Sequence, residues 1–112
     1  IPMQCEYFAL EGLAQLIQTI RKVKKTLNHG LFIEGLLLTM YDRRNRLTHS
    51  VASEIQNHFS DQVYKTVIPR NVRLSESPSH GQTIIEYDAN CSGAKAYRQL
   101  GGEFLKRARA EA

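Results

Sequence analysis

No apolar run in this chain approaches the ~20 residues that a membrane span requires; the longest, Gly35–Met40, is strand-sized. Cysteine is scarce. Cys5 and Cys91 lie far apart, with no Cys or His beside either at ligand spacing, which argues against a zinc site and favours two free thiols in a reducing cytosol. Charge of one sign is not abundant: 15 Lys and Arg against 11 Asp and Glu give a net charge of +4. That excess permits a nucleic-acid or anionic-membrane partner without demanding one, so the placement of the charges matters more than their sum. The opening Ile1-Pro2-Met3-Gln4 has no basic segment leading into an apolar one, so no secretory leader is visible, and the first residue is not Met. The chain therefore reads as a piece of a longer protein. Nowhere does a Gly-rich phosphate loop of the form GxxxxGK[ST] occur, and no other phosphate cradle replaces it.

What remains is globular. At 112 residues, 42% hydrophobic and 23% charged, the chain suits one domain rather than two. A chain of this length buries roughly 65% of its unfolded surface. Leu10, Leu13, Leu16, Ile17, Ile20, Val23 and Leu27 recur at helical steps, predicting an amphipathic helix over Ala9–Asn28 that Gly30 terminates in a left-handed conformation. Arg21, Lys22, Lys24 and Lys25 crowd its last turns, where positive charge suits the helix dipole. Leu31–Thr39 is a nearly continuous apolar run, the pattern of a strand covered on both faces. A second helix is predicted over Thr48–Phe59 and a β-rich segment over Gln62–Ile68, stopped by Pro69. Asn71–Asp88 reads as loop, with a short extended piece at Thr83–Tyr87. A closing helix runs from Ser92, as its N-cap, to Arg109, burying Tyr97, Leu100, Phe104, Leu105 and Ala108.

Strand stub, helix, strand, helix, strand, loop, helix: this alternation predicts an α/β fold with a parallel sheet and right-handed crossovers. Two strands and a stub are few for a free-standing α/β domain, so one sheet edge should be bare.

In open parallel sheets, ligands bind where loops converge beyond the carboxyl ends of the strands. Two such loops are basic. Met40–Arg46 carries Arg43, Arg44 and Arg46, and Pro69–Arg73 carries Arg70 and Arg73. Arginine presents a planar fork matched to phosphate oxygens. The alternative is a solvated loop with scattered ion pairs, for which Asp42 and Glu76 are available. Ser79, His80 and Asp88 do not compose a hydrolase triad, because adjacent side chains rarely face each other and no nucleophile-elbow motif is present. His49 and His58 sit nine apart, on opposite sides of a helix, so they share no metal.

Three runs carry a family resemblance. IPMQCEYFALEGLAQL at 1–16, GLLLTMYDRRNRL at 35–47 and VYKTVIPRNVRLSESPSHGQTIIEYD at 63–88 closely resemble the C-terminal half of the ParA/Soj partition ATPases, and the likeness continues through SGAKAYRQLGGEF at 92–104. The run IPRNVRLSESPSHG is the most specific, although the family typically has Ala where Ser77 stands. At Cys5 the family usually carries Ala or Pro.

The resemblance implies the C-terminal half of a P-loop NTPase-type doubly wound parallel sheet with flanking helices. It implies ATP and Mg as cofactors of the whole protein, an ATP-dependent homodimer, nonspecific binding to double-stranded DNA, and a ParB-type partner. By the same match Arg44 and Arg73 fall at DNA-binding positions, and Arg43 and Arg46 add basic charge beside them. Thr39, Pro69, Arg70 and Asn71 fall on the adenine side of the nucleotide pocket. The family's phosphate-binding lysines, magnesium ligands and water-positioning acidic residue belong to the other half, so these residues alone are expected not to hydrolyse ATP. A cytoplasmic, nucleoid-associated protein acting in chromosome or plasmid partitioning is the leading expectation. Two alternatives stand beside it. One is a MinD-like positioning ATPase, using Phe104, Leu105, Lys106, Arg107 and Arg109 on lipid. The other is an ATPase-dead remnant that binds a protein partner along its open edge.

Overall fold

The computed structural model describes residues 1–111. A short parallel sheet lies at its centre. β1 (Pro2–Gln4) pairs with β2 (Leu37–Thr39) in register, Met3 opposite Leu38. The crossover between them is α1 (Tyr7–Thr26), and α2 (Arg46–Phe59) follows β2. Met3, Cys5 and Leu38 meet Leu13 of α1 and Val51, Ala52 and Ile55 of α2 in the main apolar core. Leu36, Leu38 and Ile55 are almost wholly buried. Each contributes about 1.5–3 kcal/mol by leaving water.

The predicted strand Leu31–Thr39 is regular only over its last three residues. A strand needs a neighbour. Opposite it, the Ile1 carbonyl accepts the Leu37 N–H at 2.9 Å and the Ile1 nitrogen donates to the Gly35 carbonyl at 2.8 Å. Among the described residues, no backbone ladder continues upstream of Gly35.

Gln62–Ile68, predicted as a strand, runs parallel to β2 without a continuous ladder. Leu36 bridges Val63 and Tyr41 bridges Pro69. The Leu36 carbonyl accepts from Tyr64 N–H, whereas the Leu38 carbonyl accepts from Ile68 N–H, so two extra residues bulge out on this side. Their N–H groups are not orphaned. Those of Lys65 and Thr66 donate to the two Glu103 carboxylate oxygens at 2.8 and 2.9 Å. Arg107 closes the same clamp, donating to Glu103 at 3.2 Å and to the Val63 carbonyl at 2.8 Å, with its guanidinium 4.2 Å from the Tyr64 ring centroid.

Asn71–Asp88, predicted as loop, is instead mostly helical: α3 (Val72–Glu76), a 3-10 turn over Ser77–His80, and α4 (Ile84–Tyr87). Local caps explain both helices. The Asn71 side chain accepts from Arg73 N–H, and Thr83 with Glu86 forms a reciprocal capping box, a signature that the extended reading of Thr83–Tyr87 passed over. Asn45 likewise caps α2 and starts it two residues earlier than predicted.

At the end of α1 Gly30 does not take the left-handed conformation; Leu27 caps the helix in an ordinary helical one. α5 (Ser92–Glu111) begins at Ser92 rather than being capped by it. Cys91 does that work, its carbonyl accepting from Lys95 N–H and its sulfur from Ala94 N–H. The predicted buried stripe of α5 is also corrected. Tyr97, Phe104 and Leu105 are exposed, and the helix instead buries Gly93, Ala94 and Ala96. Small residues let this helix approach closely at its first turns, while Tyr97, Leu100 and Phe104 line an open apolar groove with Ile1, Pro2 and Leu37.

The settled architecture is α/β: a two-stranded parallel sheet with flanking helices. The chain exposes 7995 Å². An ordinary monomer of its 12.8 kDa exposes about 6,300 Å².

Candidate nucleic-acid interface

Two basic loops leave adjacent parallel segments side by side. The Tyr41–Pro69 bridge joins them at the root, with the Tyr41 N–H donating to the Ile68 carbonyl at 3.0 Å and the Arg70 N–H donating to the Tyr41 carbonyl at 3.1 Å. Both loops therefore emerge at the carboxyl end of the sheet.

The first loop is stiffened by its own polar side chains. Met40 turns out of β2 with φ of 51°, an uncommon conformation for a residue with a Cβ. Asp42 accepts from the Arg44 N–H at 3.1 Å, an Asx turn, and Asn45 accepts from the Leu47 N–H at 2.9 Å. From α2, His49 reaches back: its Nε2 donates to the Arg43 carbonyl at 2.7 Å, leaving Nδ1 to accept from the Tyr41 hydroxyl at 3.4 Å. Spacing alone assigned His49 no role; here it braces the loop that carries the arginines.

Arg43 and Arg44 line a cleft of about 560 Å³ with Pro69, Ser92, Lys65 and Lys95. Four cationic side chains face one carboxylate there, Asp42, which sits 3.6 Å from Arg44. Arg44 is 94% exposed in its side chain, so that pairing is weak and screened. Lys65 and Lys95 were not singled out from the sequence. Lys65 belongs to the bulged segment and Lys95 to the first turn of α5; only folding brings them to the arginines.

The other predicted arginines do not line this cleft. Arg46 is the exposed first residue of α2. Arg70 turns to Glu6, at 3.5 Å. Arg73 is engaged most closely: its Nη1 lies 3.4 Å from Glu76 and its Nε 3.5 Å from Asp88. The Tyr87 hydroxyl donates to the same Glu76 oxygen at 2.6 Å, and His80 stacks on the Tyr87 ring with centroids 4.9 Å apart. The nearby Tyr87 hydroxyl, then the charges of Glu76 and Asp88, push the Arg73 pKa up.

Of the residues matched to the adenine side, only Pro69 lines the cleft. Thr39 donates its hydroxyl to the Met3 carbonyl at 3.3 Å. Asn71 is committed twice, capping α3 through Oδ1 and donating through Nδ2 to the Ser92 hydroxyl at 2.5 Å. Arg70 turns instead to Glu6, so these four side chains are not gathered in that cleft. They supply no carboxylate for magnesium, and among the described residues no group of three His, Cys, Asp or Glu is placed to hold a metal ion.

Residues 4–84 match the CobQ/CobB/MinD/ParA nucleotide binding domain. The chain belongs to that family. Within it, the likeness to the ParA/Soj branch extends over nearly the whole chain. It is 53% identical over 109 residues to the chromosome partitioning protein ParA of Caulobacter vibrioides, covering 97% of this chain and 41% of that protein. Against the sporulation initiation inhibitor protein Soj of Bacillus subtilis the identity is 59% over 103 residues, covering 92% and 41%. Against the chromosome-partitioning ATPase Soj of Treponema pallidum it is 51% over 107 residues, covering 96% and 42%. The chain thus spans about two-fifths of the length of the curated relatives it matches. No helix among the described residues is long and apolar enough to cross a membrane.

Proposed function

We propose that this chain is the C-terminal part of a ParA/Soj-like ATPase acting in chromosome or plasmid partitioning, and that it contributes a nonspecific DNA-binding surface and part of the adenine-side wall. The observation that carries the reading is the cationic cleft. Arg43 and Arg44, on a loop held by Asp42, Asn45 and His49, line one cleft with Lys65 of the bulged segment and Lys95 of α5. Nonspecific duplex binding requires clustered phosphate-neutralising cations and no base-reading geometry. On this reading Arg46, at the start of α2, and Arg73, near the start of α3, add further phosphate contacts.

The whole protein, on this reading, completes a doubly wound sheet, binds ATP with magnesium through residues outside this chain, dimerises on ATP and answers to a ParB-type partner at the nucleoid. The exposed apolar groove along α5 and the surplus of accessible surface support a larger fold around it.

Charge reversal tests the reading. In the full-length protein, Arg44→Glu is expected to weaken binding to unrelated duplexes while leaving ATP affinity unchanged. Filter binding across a salt series should show a log–log slope shallower by roughly 0.9 for each lost phosphate contact. Unaltered slope and affinity would remove Arg44 from the interface. A second reading, a MinD-like protein on lipid, draws on the exposure of Phe104 and Leu105 beside Lys106 and Arg109. Nucleotide-dependent flotation with anionic liposomes, without DNA retention, would favour it.

A further inference from the structure

Arg44 and Arg73 match the same kind of position, yet their surroundings differ. Arg44 projects into solvent with one carboxylate at 3.6 Å. Arg73 has two, Glu76 on Nη1 and Asp88 on Nε, so the immediate cluster is one cation against two anions. A phosphate approaching Arg73 in this arrangement meets net negative charge.

The two carboxylates are themselves held. Glu76 lies one helical turn beyond Arg73 on α3, the spacing at which side chains meet, and its Oε2 also accepts the Tyr87 hydroxyl at 2.6 Å. Tyr87 ends α4, whose capping box fixes its direction, and His80 covers one face of its ring. Asp88 follows directly, its backbone N–H donating to the Ile84 carbonyl at 2.9 Å. The anions thus come from two short helices packed together, and their places do not depend on Arg73 alone.

We infer that Glu76 and Asp88 form an acidic latch on Arg73, competing with DNA phosphate for its guanidinium and thereby lowering the affinity of the basic surface for duplex. The inference rests on the DNA-binding reading above. DNA engages the open cleft at Arg43 and Arg44 first. Arg73 joins when phosphate displaces the carboxylates, whose pairing with it is solvent-exposed and weak enough to exchange. A surface built this way grips DNA reversibly, because one of its cations always has an internal alternative.

The test is a double-mutant cycle in the full-length protein, with equilibrium binding to a duplex of arbitrary sequence at low and high salt. Glu76→Gln with Asp88→Asn is expected to tighten binding about two- to tenfold at low salt, an advantage that shrinks as salt rises. Against an Arg73→Ala background the same pair of changes should give little or no gain, since the competition has lost its object. Asp88→Asn alone, which leaves the Tyr87–Glu76 bond intact, gives a smaller gain of the same sign and guards against misfolding of the double variant. A gain of equal size with and without Arg73 would overturn the latch in favour of general charge repulsion. Weaker binding in the neutralised variants would overturn it too, making the carboxylates positioning groups. If the wild-type protein retains no DNA, or Arg44→Glu has no effect, the DNA reading itself falls and the latch with it; if Arg44→Glu acts and the cycle shows no coupling, the latch alone falls.

Discussion

Gly93 is the point at which the fold commits the second basic loop to its place. It is buried in the first turn of α5, directly against Leu74 of α3. A Cβ built there would lie 2.6 Å from Leu74 Cγ and 2.8 and 2.9 Å from its two δ carbons. Ordinary carbon contacts fall near 3.5–4.0 Å, so a shift of about 1 Å is required. The clash includes the branch carbon, so a swing of the methyl groups does not relieve it. Either Leu74 changes rotamer or α3 moves. Overpacking of this kind costs roughly 1–3 kcal/mol. Ala in place of Gly recovers at most about 1 kcal/mol of helix propensity, and less in a first turn. The clash wins, and Gly93→Ala should destabilise the chain by about 1–2 kcal/mol.

Urea titration followed by circular dichroism reads this directly. At roughly 1–2 kcal/mol per molar, the midpoint should fall by about 0.5–2 M. The unmodified chain should itself melt below about 4 M, given its bare sheet edge and open α5 groove. Leu74→Ala in the Gly93→Ala background should restore part of the loss, because the methyl has room again and the two changes are not additive. A midpoint unchanged or raised by Gly93→Ala would refute the reasoning, as would a double variant whose losses simply sum.

Glu103 carries a pH dependence. Burial pulls its pKa up, but the Lys65 and Thr66 N–H groups and the Arg107 charge outweigh that and hold it below the ordinary 4.5. A carboxylate with a lowered folded value stabilises above its unfolded value and loses that contribution as pH falls through the folded one. The stability gap between wild type and Glu103→Gln should therefore be full at pH 7 and close below pH 4.5; a gap constant down to pH 3 would be the wrong result. Cys5 is 3% exposed and burial pushes its thiol pKa up, whereas Cys91 is only half-buried. Native alkylation followed by mass spectrometry should label Cys91 well before Cys5, and equal rates would show that the sheet opens freely. Incubated with ATP and magnesium, the 112-residue chain alone is expected to release phosphate no faster than a buffer control.

What the amino-acid order determined by itself was local or linear. The apolar stripe from Leu10 to Val23 specifies α1 to within two residues at each end, because helical period is a property of neighbours three and four apart. The runs at 35–47 and 63–88 carried the family likeness, which matching chains then bore out. The caps at Asn71 and Thr83 were equally local and were legible as N-cap and S/T-x-x-E signals, although the many polar residues of that stretch masked them. Other features were decided only by the tertiary structure. The bulge at Lys65 and Thr66 exists because Glu103, far along the chain, accepts two backbone N–H groups that a ladder would otherwise use. Lys65 and Lys95 join Arg43 and Arg44 in one cleft because a parallel segment and a helix start converge there. Glu76 was already on offer to Arg73 in the sequence, three residues away, but Asp88, at the end of the next helix, reaches it only in the folded chain. Charge count is written in the chain, while pairing between elements is a matter of distance in space.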